Sequence, residues 1–163
     1  SVPTVLDAGA LGLAGKLSQP TLITPHAGEL SRILKRLGTN VSADEISDYP
    51  IEWASEVANQ LDVTVLLKGS KSVVVNSEIQ IQLPAATPWL ATAGSGDVLG
   101  GIIGAIAASN EIEILNSNTR FAEIAASASF IHDQSARLAS KGGPISASSI
   151  ITRIPEAVRK ILG

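Results

Sequence analysis

Three short runs in this chain are apolar at almost every position: VPTVL (residues 2–6), TLIT (21–24) and VTVLL (63–67). A strand with one face in water alternates polar and apolar residues. A strand without that alternation needs cover on both faces. Between these runs the period changes. Leu30, Ile33, Leu34 and Leu37 fall on one face of a helix over Gly28–Leu37, closed by Gly38. Buried strands alternating with amphipathic helices specify an α/β layered domain with a mainly parallel sheet. Two further runs, Lys71–Asn76 and Glu78–Leu83, meet at Asn76-Ser77 and read as an added hairpin.

The other elements follow local rules. Ala8–Leu17 is helix-like but carries three glycines. Ser42-Ala43-Asp44-Glu45 is a capping-box pattern, and Pro50 suits the start of a helix over Ile51–Leu61. Pro84–Ala93 reads as a loop, Asp97–Ser109 as a helix and Thr119–Ser140 as a long alanine- and serine-rich helix. Gly142-Gly143-Pro144 ends the latter, and a last helix runs from about Ala147 to Ile161 with Pro155 inside it. The 163 residues read as one domain, 1–163, with a real core.

Charge and composition narrow the partners. A net charge of −3 without a basic block argues against nucleic acid or an anionic membrane. The absence of cysteine excludes disulfides, thiolate metal sites and a cysteine nucleophile. No apolar run reaches the roughly 18 residues of a spanning helix, and SVPTVLDAGA lacks the features of a signal peptide. These features give the expectation of a cytoplasmic protein. The chain has no methionine and opens directly on a strand. It therefore reads as a processed or truncated piece of something longer.

The chemistry-bearing residues sit at strand ends and helix starts. In ATAGSGDVLGG (91–101), Gly94 and Gly96 let backbone N–H groups approach a ligand, and the following helix adds unpaired donors and partial positive charge. Gly94, Ser95 and Gly96 would hold an oxyanion or phosphoryl group, with Asp97 beside it as a base. The alternative is that Asp97 only complements the helix dipole. The stretch is neither a Walker A loop nor a dinucleotide fingerprint. The helix behind it has an apolar face (Val98, Leu99, Ile102, Ile103, Ile106) and a small-residue face (Gly100, Gly101, Gly104, Ala105, Ala108) that suggests close approach by a neighbour.

His26 in LITPHAGEL follows a strand and could bond a substrate, or stand as a turn histidine with Glu29 as a first-turn acid. Lys68, Gly69, Ser70, Lys71 and Ser72 follow another strand and suit nucleotide contacts, or simply make a tight turn. Asp7 ends a third strand, or caps the helix-like run after it. His132 and Asp133 are adjacent on the long helix, point apart and read as structural. Together, Asp7, His26, Lys68 and the Gly94–Asp97 stretch would supply an anion cradle, a base and a cation on one edge, a phosphoryl-transfer set.

Four blocks in order resemble one family. ITPHAGEL is similar to LTPHPGE, LDAGAL to DADAL, LLKGSKSVV to an LKG-x-x-T strand, and ATAGSGDVLGGIIGA to ATAGTGDVLAGII. The resemblance, from Val2 to the end, is to the ADP-dependent (S)-NAD(P)H-hydrate dehydratase family of the ribokinase-like superfamily. It implies a three-layer αβα sandwich and repair of hydrated NADH or NADPH. ADP phosphorylates the ring hydroxyl, phosphate leaves to restore NAD(P)H, and AMP and phosphate are released with the help of Mg2+. It implies Asp97 as catalytic base, Gly94, Ser95 and Gly96 as anion hole, and His26 and Asp97 as contacts to the hydrate. Lys68, Gly69, Ser70, Lys71, Ser72 and Gly96 would contact the adenine nucleotide; no residue is assigned to a metal.

This sequence departs at Ala27 (Pro in HPGE), Gly9 (Asp in DADAL), and Ser95 and Ser72 (Thr in the family); the two serines keep a hydroxyl. Family domains are longer, so the resemblance implies a missing N-terminal portion, an exposed edge strand and a separate N-terminal fragment or further chain as partner. It also implies a homo-oligomer. Two other readings stand: an ATP-dependent ribokinase-like kinase acting on a sugar or hydroxymethyl heterocycle, and a non-catalytic nucleotide-binding fragment.

Overall fold

Each apolar run forms a strand. The computed structural model describes residues 2–163, with β1 (Thr4–Leu6), β2 (Thr21–Ile23), β3 (Thr64–Leu67), β4 (Val73–Val75) and β5 (Gln80–Gln82) in one sheet of order β1-β2-β3-β4-β5. The sheet is mixed. β1–β2 and β2–β3 are parallel, while β3–β4 and β4–β5 are antiparallel. The parallel part is the one the apolar runs specify. β4 must run back because the short link after β3 cannot make a parallel crossover, which takes a dozen or more residues. The β4–β5 hairpin forms as expected.

Seven α-helices cover the sheet: α1 (Ala27–Arg36), α2 (Ala43–Asp48), α3 (Pro50–Leu61), α4 (Ser95–Ser109), α5 (Glu111–Asn116), α6 (Arg120–Ser140) and α7 (Ala147–Leu162). Alternation along the strands divides the interior into two cores. Ile23, Val65, Leu67, Val73 and Val75 pack with Leu30, Ile33, Leu34, Ile46 and Val57 from α1–α3. Leu22, Leu66 and Val74 pack with Leu99, Ile103, Phe121, Ala125 and Ile150 from α4, α6 and α7. Each fully buried aliphatic side chain contributes about 1.5–3 kcal/mol, so the layers αβα are fixed by these residues rather than by helix propensity.

Local differences have local causes. Ala8–Leu13 is a 3₁₀ turn rather than a helix to Leu17; the chain leaves it before Gly15, whose φ is +76°. Ser42 Oγ accepts from the Glu45 N–H, but only that half of the capping box is made. α7 continues through Pro155. The helix after Gly94 begins at Ser95 rather than Asp97. No helix among the described residues is long and apolar enough to cross a membrane.

The expectation of a close neighbour along the glycines of α4 is not met. A Cβ on Gly100, Gly101 or Gly104 would meet no atom within 4 Å, and Gly101, Ala105 and Ala108 are exposed. The other side of α4 is buried as expected through Val98, Leu99, Ile102 and Ile103. Among the described residues β1 is paired on one edge only. Gly101→Ala should therefore raise stability by about 0.5–1 kcal/mol, the helix-propensity difference alone. Urea unfolding checks this; a loss of stability would show that the face is not open.

Candidate functional site

The three parallel strands deliver their carboxyl ends to one edge. Thr24 N–H donates to Leu6 O (3.1 Å) and Lys68 N–H to Pro25 O (2.8 Å), and His26 forms a parallel bridge with Lys68. Asp7, His26 and Lys68 are thus neighbours across the sheet. Lys68 Nζ donates to Asp7 Oδ1 at 2.9 Å. Asp7 makes no side-chain cap to the turn after it, so the ion pair, not capping, is what its carboxylate does. Burial acts to raise the Asp7 pKa, but the Lys68 hydrogen bond and charge, with smaller help from the nearby Thr24 hydroxyl and Ala8 backbone, outweigh it and hold the carboxyl below its usual value.

His26 is the N-cap of α1. Its Nδ1 accepts from the Gly28 and Glu29 N–H groups at 3.1 and 3.3 Å, and Glu29 Oε2 accepts from the His26 N–H at 2.9 Å. This is a reciprocal capping box with imidazole in the serine's place. With Nδ1 accepting, the neutral ring carries its proton on Nε2. The side chain is 55% exposed, as a turn histidine would be.

The start of α4 lies against this edge. Gly94 is its N-cap in the left-handed region (φ +81°). A Cβ there would stand 3.2 Å from Ala147 Cβ at the start of α7, so backbone and packing both require glycine. The Ser95 N–H is taken by Thr92 O (3.2 Å). That leaves Gly96 and Asp97, the next two residues, as first-turn donors without intrahelical partners. A Cβ on Gly96 would lie 3.5 Å from Lys68 Nζ and 3.6 Å from Asp7 Oδ2. The cradle, the cation and the strand-end carboxylate are therefore in contact range, as the strand-end pattern predicts.

Beside them opens a cavity of about 590 Å³. Lys68, Gly69, Ser70 and Ser72 line one wall, Ser95 and Gly96 another, and His26 reaches it too. Ser72 Oγ ties the turn back to Gly69 at 3.3 Å. Lys71, Gly94 and Asp97 do not line this cavity. Lys71 faces a smaller cavity of about 280 Å³ on the other side of the same turn. Asp97 is exposed in the first turn of α4.

The remaining walls come from residues given no role by their spacing. The 83–92 stretch, with a 3₁₀ turn at Pro88–Leu90, forms an apolar side. Ser129, Phe130, His132 and Asp133 of α6 close the back. Asp133 Oδ1 accepts from the Thr87 N–H at 2.7 Å, and Arg137 Nε donates to Asp133 Oδ2 at 2.7 Å. Arg137 also donates to Ala85 O at 2.7 Å. His132 is 5% exposed and its Nε2 lies 3.2 Å from Ser95 Oγ. Burial pushes its pKa down to about 4, with Asp133 and Ser95 opposing in part. The one sequence signal for this wall is a pair of ionisable residues on a helix of alanine and serine.

Among the described residues no group of three or more His, Cys, Asp or Glu is placed to hold a metal by itself. A nucleotide-borne Mg2+ needs less, one or two carboxylates with phosphate oxygens and water.

The chain is similar to proteins of known name. A Corynebacterium glutamicum bifunctional NAD(P)H-hydrate repair enzyme is 34% identical across 98% of this chain, which spans 32% of that protein. A Bacillus subtilis ADP-dependent (S)-NAD(P)H-hydrate dehydratase is 36% identical over 62% of this chain and 36% of its own length. The structure of a B. subtilis ADP/ATP-dependent NAD(P)H-hydrate dehydratase crystallised with ATP and Mg2+ superposes with TM-score 0.75 at 26% identity, covering 97% of this chain and 55% of that one. A Thermotoga maritima ribokinase shares the fold at TM-score 0.55 and 14% identity. The chain thus spans about a third of the bifunctional relative and about half of the solved dehydratase. The NAD(P)H-hydrate dehydratase family model matches residues 1–156, nearly the whole of the sequence, and the chain belongs to that family.

Proposed function

We propose that residues 1–163 carry the nucleotide site and the base of an ADP-dependent NAD(P)H-hydrate dehydratase. The observation that supports it most is the cavity bounded by the Lys68–Ser72 turn on one wall and the first turn of α4 on another, in a chain of this family. The adenine nucleotide occupies the cavity, its base against the apolar 83–92 wall and its phosphates towards Lys68 and Gly96. The Gly96 and Asp97 amides, with Gly94 shaping the turn, receive the terminal phosphoryl group of ADP.

Asp97 takes the proton of the ring hydroxyl as its oxygen attacks phosphorus, and AMP leaves. The new C–O–phosphate bond then breaks, the neighbouring carbon gives up a proton, and the ring double bond returns. The sum is hydrate plus ADP giving NAD(P)H, AMP and phosphate. His26 bonds the hydrate through its Nε2 proton. The B. subtilis relative was crystallised with ATP and Mg2+; here Asp7, through the oxygen not bonded to Lys68, would hold such an ion together with nucleotide phosphates, and the ion would supply charge neutralisation.

We read the edge of β1 that is unpaired among the described residues, and the uncovered small-residue face of α4, as the open substrate side of the cradle. In this reading the rest of a ribokinase-like domain, or a second copy, covers it.

The test is to give purified protein chemically hydrated NADPH, Mg2+ and either ADP or ATP. Recovery of dihydronicotinamide absorbance with ADP supports the dehydratase. Turnover of ATP on a sugar or hydroxymethyl heterocycle without hydrate repair replaces it with the kinase. Nucleotide binding without turnover by a full-length version leaves the non-catalytic reading.

A further inference from the structure

Adjacent residues of α6 hold opposite walls of the cavity. Asp133 takes the Thr87 N–H of the 83–92 wall, while His132 turns the other way, to Ser95. Both partners of the second contact are 5% exposed. Burying an imidazole on a helix rich in buried alanine costs desolvation, which a small apolar residue would avoid. The imidazole must therefore act through what it touches. It touches the first residue of α4, immediately before the Gly96 and Asp97 amides.

Ser95 shows the same commitment. The N-cap of α4 is Gly94, which has no side chain to cap with, so Ser95 is the first residue of the helix that carries a hydroxyl. The Ser95 hydroxyl is turned inward to His132 Nε2, at 3.2 Å across 37 residues of sequence. Its backbone N–H is taken by Thr92 O. Ser95 is thus pinned by side chain and main chain, and the next two amides are left without intrahelical partners.

We propose that His132 is a positioning residue: its bond to Ser95 Oγ fixes the first turn of α4 against α6, so that the Gly96 and Asp97 amides meet the terminal phosphoryl group of a nucleoside diphosphate. The inference rests on the nucleotide reading of the cavity. The nucleoside portion contacts other walls. His132 therefore matters for the phosphoryl end and not for the nucleoside.

The experiment is calorimetric titration of the whole chain with ADP and, separately, with adenosine. Ser95→Ala should weaken ADP about 10-fold, the worth of one buried hydrogen bond, and change adenosine less than about 2-fold. His132→Leu should do the same, and the double substitution should be no worse than either alone, as expected for two ends of one bond. His132→Gln, which keeps an amide within reach of Ser95, should recover most of the loss. Equal losses for ADP and adenosine, additive losses in the double variant, or unchanged ADP binding would each overturn the proposal. Should His132→Leu fail to fold, the Ser95→Ala and His132→Gln results decide alone. Wild-type chain that binds neither ligand would remove the nucleotide reading itself, and the inference with it.

Discussion

Alanine at position 97 is expected to lower hydrate repair by about 10²–10⁴-fold while moving the unfolding midpoint by only a few degrees. Asp97 is exposed and makes no ion pair among the described residues. Its structural contribution is the favourable placement of a negative charge in the first turn of α4, about 0.3–1 kcal/mol. In a chain of this size that is a shift of a few degrees. The chemical contribution proposed for it is of another order. Asp7 accepts from Lys68, Glu29 from the His26 N–H, and Asp133 from Thr87 and Arg137, whereas Asp97 has no such partner among the described residues and is the base of the proposed reaction. Asp97→Asn should be as slow as the alanine variant, since the amide keeps the shape but cannot act as base. Turnover retained by the asparagine variant, or full activity with alanine, would leave Asp97 with the helix-dipole role alone.

Stability should fall steeply in weak acid, and His132 is the cause. Burial lowers its pKa from 6.5 to about 4 in the folded chain. Between these values the unfolded chain binds a proton that the folded chain refuses, so stability rises with pH across the window. The contribution is complete above pH 6.5 and gone by about pH 4. At about 1.4 kcal/mol per pKa unit this amounts to about 3 kcal/mol. The Asp7 carboxyl is also lowered, but from 3.8, so its stabilisation is lost below that value and does not overlap. Urea unfolding followed from about pH 7 down to about pH 4.5 measures the effect. His132→Gln should be nearly flat over this range. A wild-type profile as flat as the variant's would mean that the imidazole is not buried as a neutral ring.

The strands are legible because β2, β3 and β4 are buried along their whole length and carry no charged residue, threonine being their only polar type. The hairpin follows from Asn76-Ser77 alone. The small-residue face of α4 misleads for a physical reason: glycine permits close approach but does not cause it. The site divides in the same way. Asp7, His26, Lys68 and the α4 start announce themselves by position, at strand ends and a helix start. What each side chain bonds to is a matter of distant partners: Lys68 lies 61 residues from Asp7, and Asp133 lies 46 residues from Thr87. Adjacency on one helix makes His132 and Asp133 point apart, but it cannot say what lies in either direction. The cavity is what gives both a use, and it exists only once α6 has packed behind the sheet.

Gly94 has one more consequence, through Ala147. The turn that shapes the cradle rests against the first residue of α7, although no residue of α7 lines the cavity. A growing polypeptide emerges from the ribosome N-terminus first, so a chain made as far as α6 already holds every donor of the cradle. It does not yet hold the buttress behind them. On the proposed nucleotide reading, ligand would bind only once α7 has docked, and the stabilisation that a ligand gives the native state would arrive after synthesis, not during it.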